Sequence, residues 1–325
     1  MKHMEIDNNI KSCFVAGHRG MVGSAIVRLL KKQHPLIKII IRDKNQLNLI
    51  NQYDVNFFLK SNKPDLVIIA AAKAGGILIN STAPAEFLYE NIMIQNNIIH
   101  SCYVNNITKI LFLGSSCIYP KHSNQPIKES ELLKSSLEET NEAYAIAKIA
   151  GIKMCHFYNL QYGTEYKSLM PTNLYGRGDN YHPKDSHVIP GLIQRFHDAK
   201  INNKPEIKVW GSGKALREFL YVDDLAKALL LVGLNKSKEI DKIFLNSNSF
   251  INVGFGKEIS IYELSLKIAG IVKYKGKITF DNSKPDGTPR KILDSSLINS
   301  LGWKPETSLN DGLIETYNFF TSEIK

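Results

Sequence analysis

Residues 17–23 read GHRGMVG, and this stretch decides the fold because of what stands on either side of it. The preceding run SCFVAG is typical of a short buried strand, and the following SAIVRLLKKQ has the periodicity of a helix. Glycines between a strand and a helix permit a tight turn and let the backbone approach a pyrophosphate at the helix N-terminus. A glycine triplet alone is weak evidence, but in this context it indicates a dinucleotide-binding loop.

Further apolar runs alternate with helical stretches outward from this loop. Strands are predicted at KIIIRD, DLVIIAAA, KILFLG and YKSLMPTNLYG, and long helices at AEFLYENIMIQNNIIHSCYVNN and from about Asn141 to Tyr162. Strands that alternate with helices are typical of βαβ units. The sequence therefore predicts an α/β protein with a Rossmann-type, doubly wound parallel sheet covered by helices on both faces.

The sequence pattern of the chain changes after Gly176. Polar, turn-rich segments such as RGDNYHPKDSH alternate with short strands such as IKVWG, and helices return at DDLAKALLLVG and SIYELSLKIAGIVKY. This predicts a smaller C-terminal α/β lobe for substrate. We expect residues 1–175, completed by about 217–255, to form the cofactor-binding domain, and residues 176–216 and 256–325 to form the substrate lobe. The ligand is expected between the lobes, outside the carboxyl ends of the strands.

Composition limits the class of protein. The 325 residues are 43% hydrophobic, which is ample for a packed core. No apolar run approaches the roughly 20 residues that span a bilayer, and the start MKHMEIDNNIK does not resemble a signal peptide. We therefore expect a soluble cytoplasmic protein with no membrane partner. Free thiols in a reducing compartment fit the four cysteines, which show no C-x-x-C pair: Cys13, Cys102, Cys117 and Cys155.

The formal net charge of +10 permits two readings. A basic chain can bind nucleic acid, and it also suits an anionic small substrate such as a nucleotide. The lysines are scattered and form no dense basic block, so the second reading is favoured and no nucleic-acid partner is expected. The nine histidines show no metal-ligand spacing, and no metal is expected.

The type of dinucleotide is indicated by charges near the second strand. Asp43 stands where an acid would hold the ribose of NAD. However, Arg19 lies inside the glycine loop, and Arg42 and Lys44 flank Asp43. Cations at these places can pair with a 2′-phosphate, which favours NADP(H). The alternative is that Arg42 and Lys44 are solvated surface charges.

A tyrosine and a lysine four residues apart, Tyr144 and Lys148, lie in a strongly helical stretch. This spacing places both side chains on one helix face. A nearby ammonium favours phenolate and is expected to lower the phenol pKa, which makes Tyr144 a candidate proton donor to a carbonyl under reduction. Such a pair alone is usually surface decoration, but Ser115 and the glycine loop precede it in the order a reductase requires.

These motifs, together with AAAKAGGI, LGSSCIYP, DSHVIP, VWGSG, REFLYVDD and KPDGTPRK, resemble the extended short-chain dehydrogenases/reductases that act on nucleotide sugars. The resemblance covers nearly the whole chain. Within the family it is greatest to the members that convert GDP-4-keto-6-deoxy-mannose into GDP-L-fucose, by epimerisation at C3 and C5 and NADPH-dependent reduction at C4. A C4 reductase for another GDP-4-keto deoxysugar or heptose stays open. The resemblance also implies a homodimer, formed through two long helices.

The same resemblance implies the catalytic roles. Cys117 is expected to be the base and His187 the acid of epimerisation, since both residue types exchange protons near neutral pH. Ser115 and Tyr144 are expected to bind the C4 oxygen, and Lys148 the nicotinamide ribose. Without the resemblance, Cys117 is better explained as a small buried hydrophobe, and His187 can be explained as a helix-start residue. A silent NADP-binding sensor is disfavoured, because it needs neither Tyr144 nor Lys148.

The expected ligand contacts follow in the same way. Those with the cofactor are Gly17, His18, Arg19, Gly20, Met21, Val22, Gly23, Arg42, Lys44, Leu47, Asn48, Lys148, Pro171, Thr172, Asn173, Leu174 and His187. Arginine suits a diphosphate through its fork of donors, and an acid can accept from a ribose or sugar hydroxyl. The expected contacts with the GDP-sugar are Arg195, Trp210, Arg217 and Asp286.

Overall fold

A computed structural model describes residues 5–182, 185–283 and 288–323. Six parallel strands form its central sheet in the order β11-β6-β5-β4-β2-β3. The predicted doubly wound parallel sheet is thereby confirmed, with its order reversing between β2 and β4. The strands are β2 (Ser12–Ala16), β3 (Lys38–Ile40), β4 (Leu66–Ile69), β5 (Lys109–Leu113), β6 (Glu165–Pro171) and β11 (Phe250–Val253).

The central strands are continuous apolar runs because both faces of the sheet are covered. All four residues of β4 are buried, as are the last four of β5, as expected for a parallel sheet between two helical layers. One apolar cluster packs α1 and α7 against the sheet, and another packs α2, α4 and α5 on the opposite face. These helices are α1 (Met21–Gln33), α2 (Gln52–Asn62), α4 (Pro84–Val104), α5 (Glu142–Tyr162) and α7 (Val222–Leu234).

A second lobe with its own core contains a small mixed sheet. Its central strand β9 (Leu216–Tyr221) pairs with β7 (Asn173–Tyr175) and β14 (Arg290–Lys291) in parallel and with β12 (Glu258–Ser260) antiparallel. A separate parallel pair joins β8 (Glu206–Trp210) and β13 (Lys277–Asp281). The remaining elements are β1 (Glu5–Ile6), β10 (Asn235–Lys236), α3 (Ile77–Thr82), α6 (Val188–Ile201), α8 (Lys238–Asn246), α9 (Ile261–Val272), α10 (Ser296–Ser300) and α11 (Leu309–Glu323).

The predicted fifth strand, YKSLMPTNLYG, is divided between the two sheets. It breaks at Thr172, so that β6 belongs to the central sheet and β7 to the small one. The Thr172 backbone N–H donates to the Val253 carbonyl at 3.0 Å, and its hydroxyl donates to the Glu218 carbonyl at 3.3 Å. Thr172 therefore marks where the chain passes from one sheet to the other.

The described part of the chain has no helix of the length and apolarity needed to cross a membrane. The four cysteines are free thiols. Cys13, Cys102 and Cys155 are fully buried, whereas Cys117 is partly exposed. Only Cys117 among them is therefore accessible to a reactant.

Candidate active site

The glycine-rich loop lies where the strand order reverses, and two of its glycines are required by close packing. Gly17 has a φ of +85°, and a Cβ there would lie 2.6 Å from the Ala71 nitrogen. A Cβ on Gly23 would lie 2.1 Å from the Gly17 oxygen. Gly20 is different, since its Cβ would meet only the Gly17 oxygen, at 3.5 Å. The space over Gly20 is open, and a ligand can approach the backbone there.

The N-terminus of α1 borders this open space. Gly20 is its N-cap residue and brings no side chain, and the first turn, which begins at Met21, contains no acidic residue. The first N–H groups of a helix lack partners within the helix and form the positive end of its dipole. An open, uncapped N-terminus beside glycines fits the pyrophosphate of a dinucleotide.

Asp43 and Arg19 are brought together beside this loop. Arg19 Nη2 lies 2.6 Å from Asp43 Oδ2, and His18 Nε2 lies 3.2 Å from Asp43 Oδ1. The Oδ1 atom is buried and, within the described residues, accepts no hydrogen bond of good geometry. The acid that could hold a ribose hydroxyl is therefore enclosed by the loop residues predicted to bind the cofactor.

The other residues predicted near the adenosine end of the cofactor differ in how far their side chains are exposed. The Arg42 guanidinium lies 5.3 Å from the Phe58 ring centroid, which orients it along the protein surface. Lys44 and Asn48 are exposed and available to a ligand. Leu47 is buried in the core with 6% exposure, so only its backbone could contact the cofactor.

Lys148 and Tyr144 lie on one face of α5, as their spacing predicts. Lys148 is only 3% exposed, and its ammonium donates a 2.7 Å hydrogen bond to the Leu113 carbonyl at the end of β5. Burial lowers the pKa of Lys148 to about 7. Its Nζ lies 5.8 Å from the Tyr144 ring centroid. The pair therefore adjoins the carboxyl end of the central sheet, where a substrate is expected.

The pKa of Tyr144 departs from the expectation that the cation would lower it. Burial raises this pKa, nearby Cys117 raises it further, and a hydrogen bond with Ser115 lowers it by less. Desolvation is the largest of these effects, and Phe87 lies edge-on to Tyr144 at 6.5 Å between ring centroids. At neutral pH the tyrosine is a protonated phenol and can donate a proton.

Cys117 lies in a single 3₁₀ turn, Ser116–Ile118, directly after β5. The Ser115 hydroxyl caps this turn and accepts from the Cys117 N–H at 3.3 Å. The Lys291 ammonium lies 3.7 Å from the Cys117 sulfur. Both residues line a cavity of about 30 Å³. The thiol therefore faces an opening and a cation rather than the core.

Lys291 was missed as a site residue by sequence reasoning. No local signal connects it with Cys117, because the two residues are 174 positions apart. The contact depends on the pairing of Ile127 with Leu293. Buried Glu218, also missed, accepts from the backbone N–H of Leu293 at 3.0 Å and of Gly256 at 2.6 Å. These contacts hold the segment that carries Lys291 against the loop that follows Cys117.

His187 is the N-cap residue of α6. The segment before it docks on the loop after β4, where the Gly76 N–H donates to the Asp185 carbonyl at 3.0 Å. A Cβ on Gly75 would lie 3.5 Å from the Phe87 ring, which in turn contacts Tyr144. His187 is exposed overall, but desolvation of its ring lowers its pKa.

The residues predicted to hold the GDP moiety form two groups. The Arg195 guanidinium lies 5.7 Å from the ring centroid of Trp210, which is 58% exposed. Arg217 lies directly across the β9–β14 ladder from Lys291. Two cation sites therefore border the second-lobe side of the cleft. Asp286 lies outside the described residues.

The segment at the break between the sheets carries the last predicted cofactor contacts. Pro171 ends β6, Thr172 follows it, and Asn173 and Leu174 begin β7. The Asn173 amide donates to the Glu218 carbonyl at 2.9 Å. This anchors the segment at the carboxyl end of the central sheet.

The model of the NAD dependent epimerase/dehydratase family matches residues 13–246. Over 311 residues the chain is 53% identical to the GDP-L-fucose synthase of Escherichia coli strain K12, which covers 94% of this chain and 95% of that protein.

Two solved structures are similar over their whole length. One is a GDP-6-OMe-4-keto-L-xylo-heptose reductase from C. jejuni, with a TM-score of 0.89, 34% identity, and coverage of 98% of this chain and 100% of that chain. The other is a GDP-mannoheptose C4 reductase from Campylobacter jejuni with NADP bound, with a TM-score of 0.86, 36% identity, and coverage of 96% and 98%.

Proposed function

Because the chain belongs to the NAD-dependent epimerase/dehydratase family, and within it to the group of GDP-L-fucose synthases, we propose that it makes GDP-L-fucose. It converts GDP-4-keto-6-deoxy-D-mannose by inverting C3 and C5 and then reducing the C4 carbonyl. The observation that carries this proposal is the 53% identity to a GDP-L-fucose synthase over 311 residues. The geometry supports it, because the Cys117 thiol and the Tyr144–Lys148 pair lie close together at the carboxyl end of the central sheet.

The cofactor is NADP(H), which supplies the hydride that reaches C4. The loop 17–23 and the start of α1 hold the pyrophosphate, which the open space over Gly20 supports. Arg19, Arg42 and Lys44 bind the 2′-phosphate, with His18, Leu47 and Asn48 at the adenosine end. Lys148 binds the nicotinamide ribose. The segment 171–174 and His187 would contact the nicotinamide.

Epimerisation is assigned to Cys117 and His187. Protons at C3 and C5 are acidic because each carbon adjoins the C4 carbonyl, so that removal of either proton gives an enolate. Cys117 removes the proton and His187 returns one on the opposite ring face. Ser115 and Tyr144 donate hydrogen bonds to the C4 oxygen and stabilise the negative charge of the enolate.

Reduction uses the same cleft. The raised pKa of Tyr144 keeps its phenol protonated, so that it can donate a proton to the C4 oxygen as the carbonyl becomes an alcohol. On the nucleotide side, Arg195 and Arg217 bind the diphosphate and Trp210 packs on the GDP moiety. Asp286 accepts from a hydroxyl of the ribose or sugar.

A C4 reductase without epimerase activity is the second candidate, favoured by the structural likeness to the two heptose reductases at 34% and 36% identity. The two functions are separated by incubating GDP-4-keto-6-deoxy-D-mannose with NADPH in deuterated water and identifying the product by NMR. GDP-L-fucose with solvent deuterium at C3 and C5 is expected. A GDP-6-deoxy-D-hexose without deuterium at these carbons would overturn the epimerase assignment in favour of the reductase.

We also propose that the enzyme is a homodimer formed through α4 and α5. Both helices expose large apolar side chains away from the core. An exposed apolar face of this kind is typical of a surface that another subunit covers. On α5 the spacing of three of them places them along one stripe. The exposed residues are Tyr89 and Val104 on α4, and Ile146, Phe157, Leu160 and Tyr162 on α5.

We further propose that two regions of the chain bind the two ligands separately and that the enzyme works in the cytoplasm. Residues 1–175 with about 217–255 bind the cofactor, and residues 176–216 and 256–325 bind the GDP-sugar. The location of β11 in the central sheet and of β8, β12, β13 and β14 outside it supports this division. Four free thiols support a reducing compartment, the cytoplasm.

A further inference from the structure

The ammonium of Lys291 lies 3.7 Å from the sulfur of Cys117. We propose that Lys291 is a positioning residue that donates a hydrogen bond to the Cys117 thiolate and so keeps this base ready to remove the C3 and C5 protons. The inference rests on the proposed epimerisation and adds to it the group that activates its base.

The backbone holds Lys291 in place on two sides. Lys291 lies opposite Arg217 in the β9–β14 ladder, and two residues later the Leu293 N–H donates to the fully buried Glu218. On the other side, the Ile127 N–H donates to the Ile292 carbonyl at 2.8 Å. The side chain between these anchors has few directions open to it, and it extends toward Cys117.

Among the charged groups that the structure describes around the Cys117 sulfur, the Lys291 ammonium is the one whose charge no neighbouring group balances. Tyr144 faces it from α5, and its phenol is neutral at pH 7 because its pKa is raised. Lys121 and Glu138 line the same cavity, but they lie 3.7 Å from each other and largely cancel. Within the described residues, no carboxylate forms an ion pair with Lys291. A lone ammonium beside a thiol favours the thiolate, which is the reactive form.

Epimerisation needs the thiolate of Cys117 twice, once to remove the proton at C3 and once to remove the proton at C5. The C3–H bond breaks, its proton joins the Cys117 sulfur, and the electron pair passes to the enolate on O4. His187 then gives a proton to the opposite face of C3, and the enolate collapses to the ketone. Cys117 and His187 exchange protons with solvent before C5 reacts in the same way. Lys291 keeps its proton throughout and favours the return of the thiol to thiolate.

Alkylation of the holoenzyme with NADP⁺ bound tests this without any sugar. The rate of Cys117 modification by iodoacetamide is followed by mass spectrometry between pH 6 and 10, and the other three cysteines are 0% exposed. In Lys291→Met we expect about tenfold slower alkylation at pH 7, because the thiolate loses its hydrogen-bond donor. Lys291→Arg should retain most of the wild-type rate. Lys60→Met, which removes an exposed lysine of α2 that does not line this cavity, should match wild type.

Solvent exchange connects the contact to the reaction. With NADP⁺ in place of NADPH, wild type should incorporate deuterium at C3 and C5 of the keto sugar. In Lys291→Met this exchange should fall about tenfold at pH 7. An unchanged alkylation profile, or a defect confined to the KM of the sugar, would assign Lys291 to substrate binding and overturn the proposal. Absence of exchange in wild type would overturn the epimerase function itself.

Discussion

Arg19 Nη2 lies 2.6 Å from Asp43 Oδ2, so a cation of the glycine-rich loop is paired with the acid that follows β3. The two residues represent opposite cofactor preferences, since an acid here accepts from the ribose of NAD and a cation pairs with the 2′-phosphate of NADP. The Arg19 side chain is 77% exposed. An exposed pair of this kind contributes at most about 1 kcal/mol, so a phosphate can displace Asp43 as its partner.

The first prediction follows from this pair. Arg19→Ala should raise the Kd of NADPH about tenfold, because it removes a charge-assisted contact with the phosphate. The Kd of NADH should stay the same or fall, since Asp43 is released to accept from the ribose. Fluorescence titration with both cofactors measures this, with Lys31→Ala at the far end of α1 as the control. Equal effects on both cofactors would remove Arg19 from this role.

The second prediction concerns the buried Lys148. Its pKa is about 7 in the folded protein, against the ordinary value of 10.5. Between these values the unfolded chain binds more protons than the folded one, so this group makes stability increase with pH. Its contribution between pH 7.5 and 9.0 is about 2 kcal/mol, since each unit is worth about 1.4 kcal/mol.

The measurement for Lys148 is urea unfolding of the cofactor-free enzyme at the two pH values. Lys148→Met should be more stable than wild type at pH 7.5 and should lose most of the increase toward pH 9.0. Lys60→Met, which removes an exposed lysine of α2, should keep the wild-type increase. A Lys148→Met protein with the same pH dependence as wild type would show that the amine is not desolvated.

The third prediction addresses the proton donor. Tyr144→Phe should bind NADPH normally but lose reduction by about two to four orders of magnitude, the usual contribution of a positioned acid. NADPH oxidation gives the rate and a fluorescence titration gives the affinity. Tyr162→Phe on the same helix is the matched control. Turnover near the wild-type rate in Tyr144→Phe would refute the Tyr-Lys assignment.

The sheet could be predicted because its strands are short apolar runs that alternate with long helical patterns. The break at Thr172 could not be predicted as a change of sheet, because Pro171 and Asn173 permit an interruption of the strand but do not specify the partner of either half. Partners distant in sequence decide it: Thr172 contacts Val253 of the central sheet and Glu218 of the small sheet. Such tertiary pairing overrides local propensity.

In the candidate site, too, the features that depend on one element could be predicted and the features that depend on tertiary contacts could not. The spacing of Tyr144 and Lys148 predicts their common face, because it depends on one helix alone. The direction of the Tyr144 pKa could not be predicted, since its burial depends on rings from other elements, including Phe87. Lys291 could not be identified as a site residue for the same reason, because the pairing of β14 with β9 helps to bring it to Cys117.

The fourth prediction concerns the proposed subunit interface. Wild type should be a dimer by light scattering, and Phe157→Asp should be a monomer, because an unpaired carboxylate in an apolar interface is costly. Phe57→Asp is the matched control, since Phe57 is a similarly exposed phenylalanine on α2, at 62% against 57%. A monomeric wild type, or a Phe157→Asp protein that stays dimeric, would contradict an interface through α5.

The last prediction concerns the thiol that follows β5. Cys117→Ser should separate the two halves of the reaction, because a hydroxyl has a pKa far above that of a thiol and cannot remove an α-proton at neutral pH without a further base. Ser115, Tyr144 and Lys148 would stay in place. The variant should slowly reduce C4 of the unepimerised keto sugar to a GDP-6-deoxy-D-hexose, which NMR distinguishes from GDP-L-fucose.

Deuterated water makes the test of Cys117 sharper. Wild type should place deuterium at C3 and C5, and Cys117→Ser at neither carbon. His187→Asn is the informative comparison, since Cys117 could still remove a proton while no acid returns one from the opposite face. Exchange should then persist without inversion, which separates a lost base from a lost acid. If Cys117→Ser gives full incorporation and the normal product, the thiol is only packing at the end of β5, and another group must be the base.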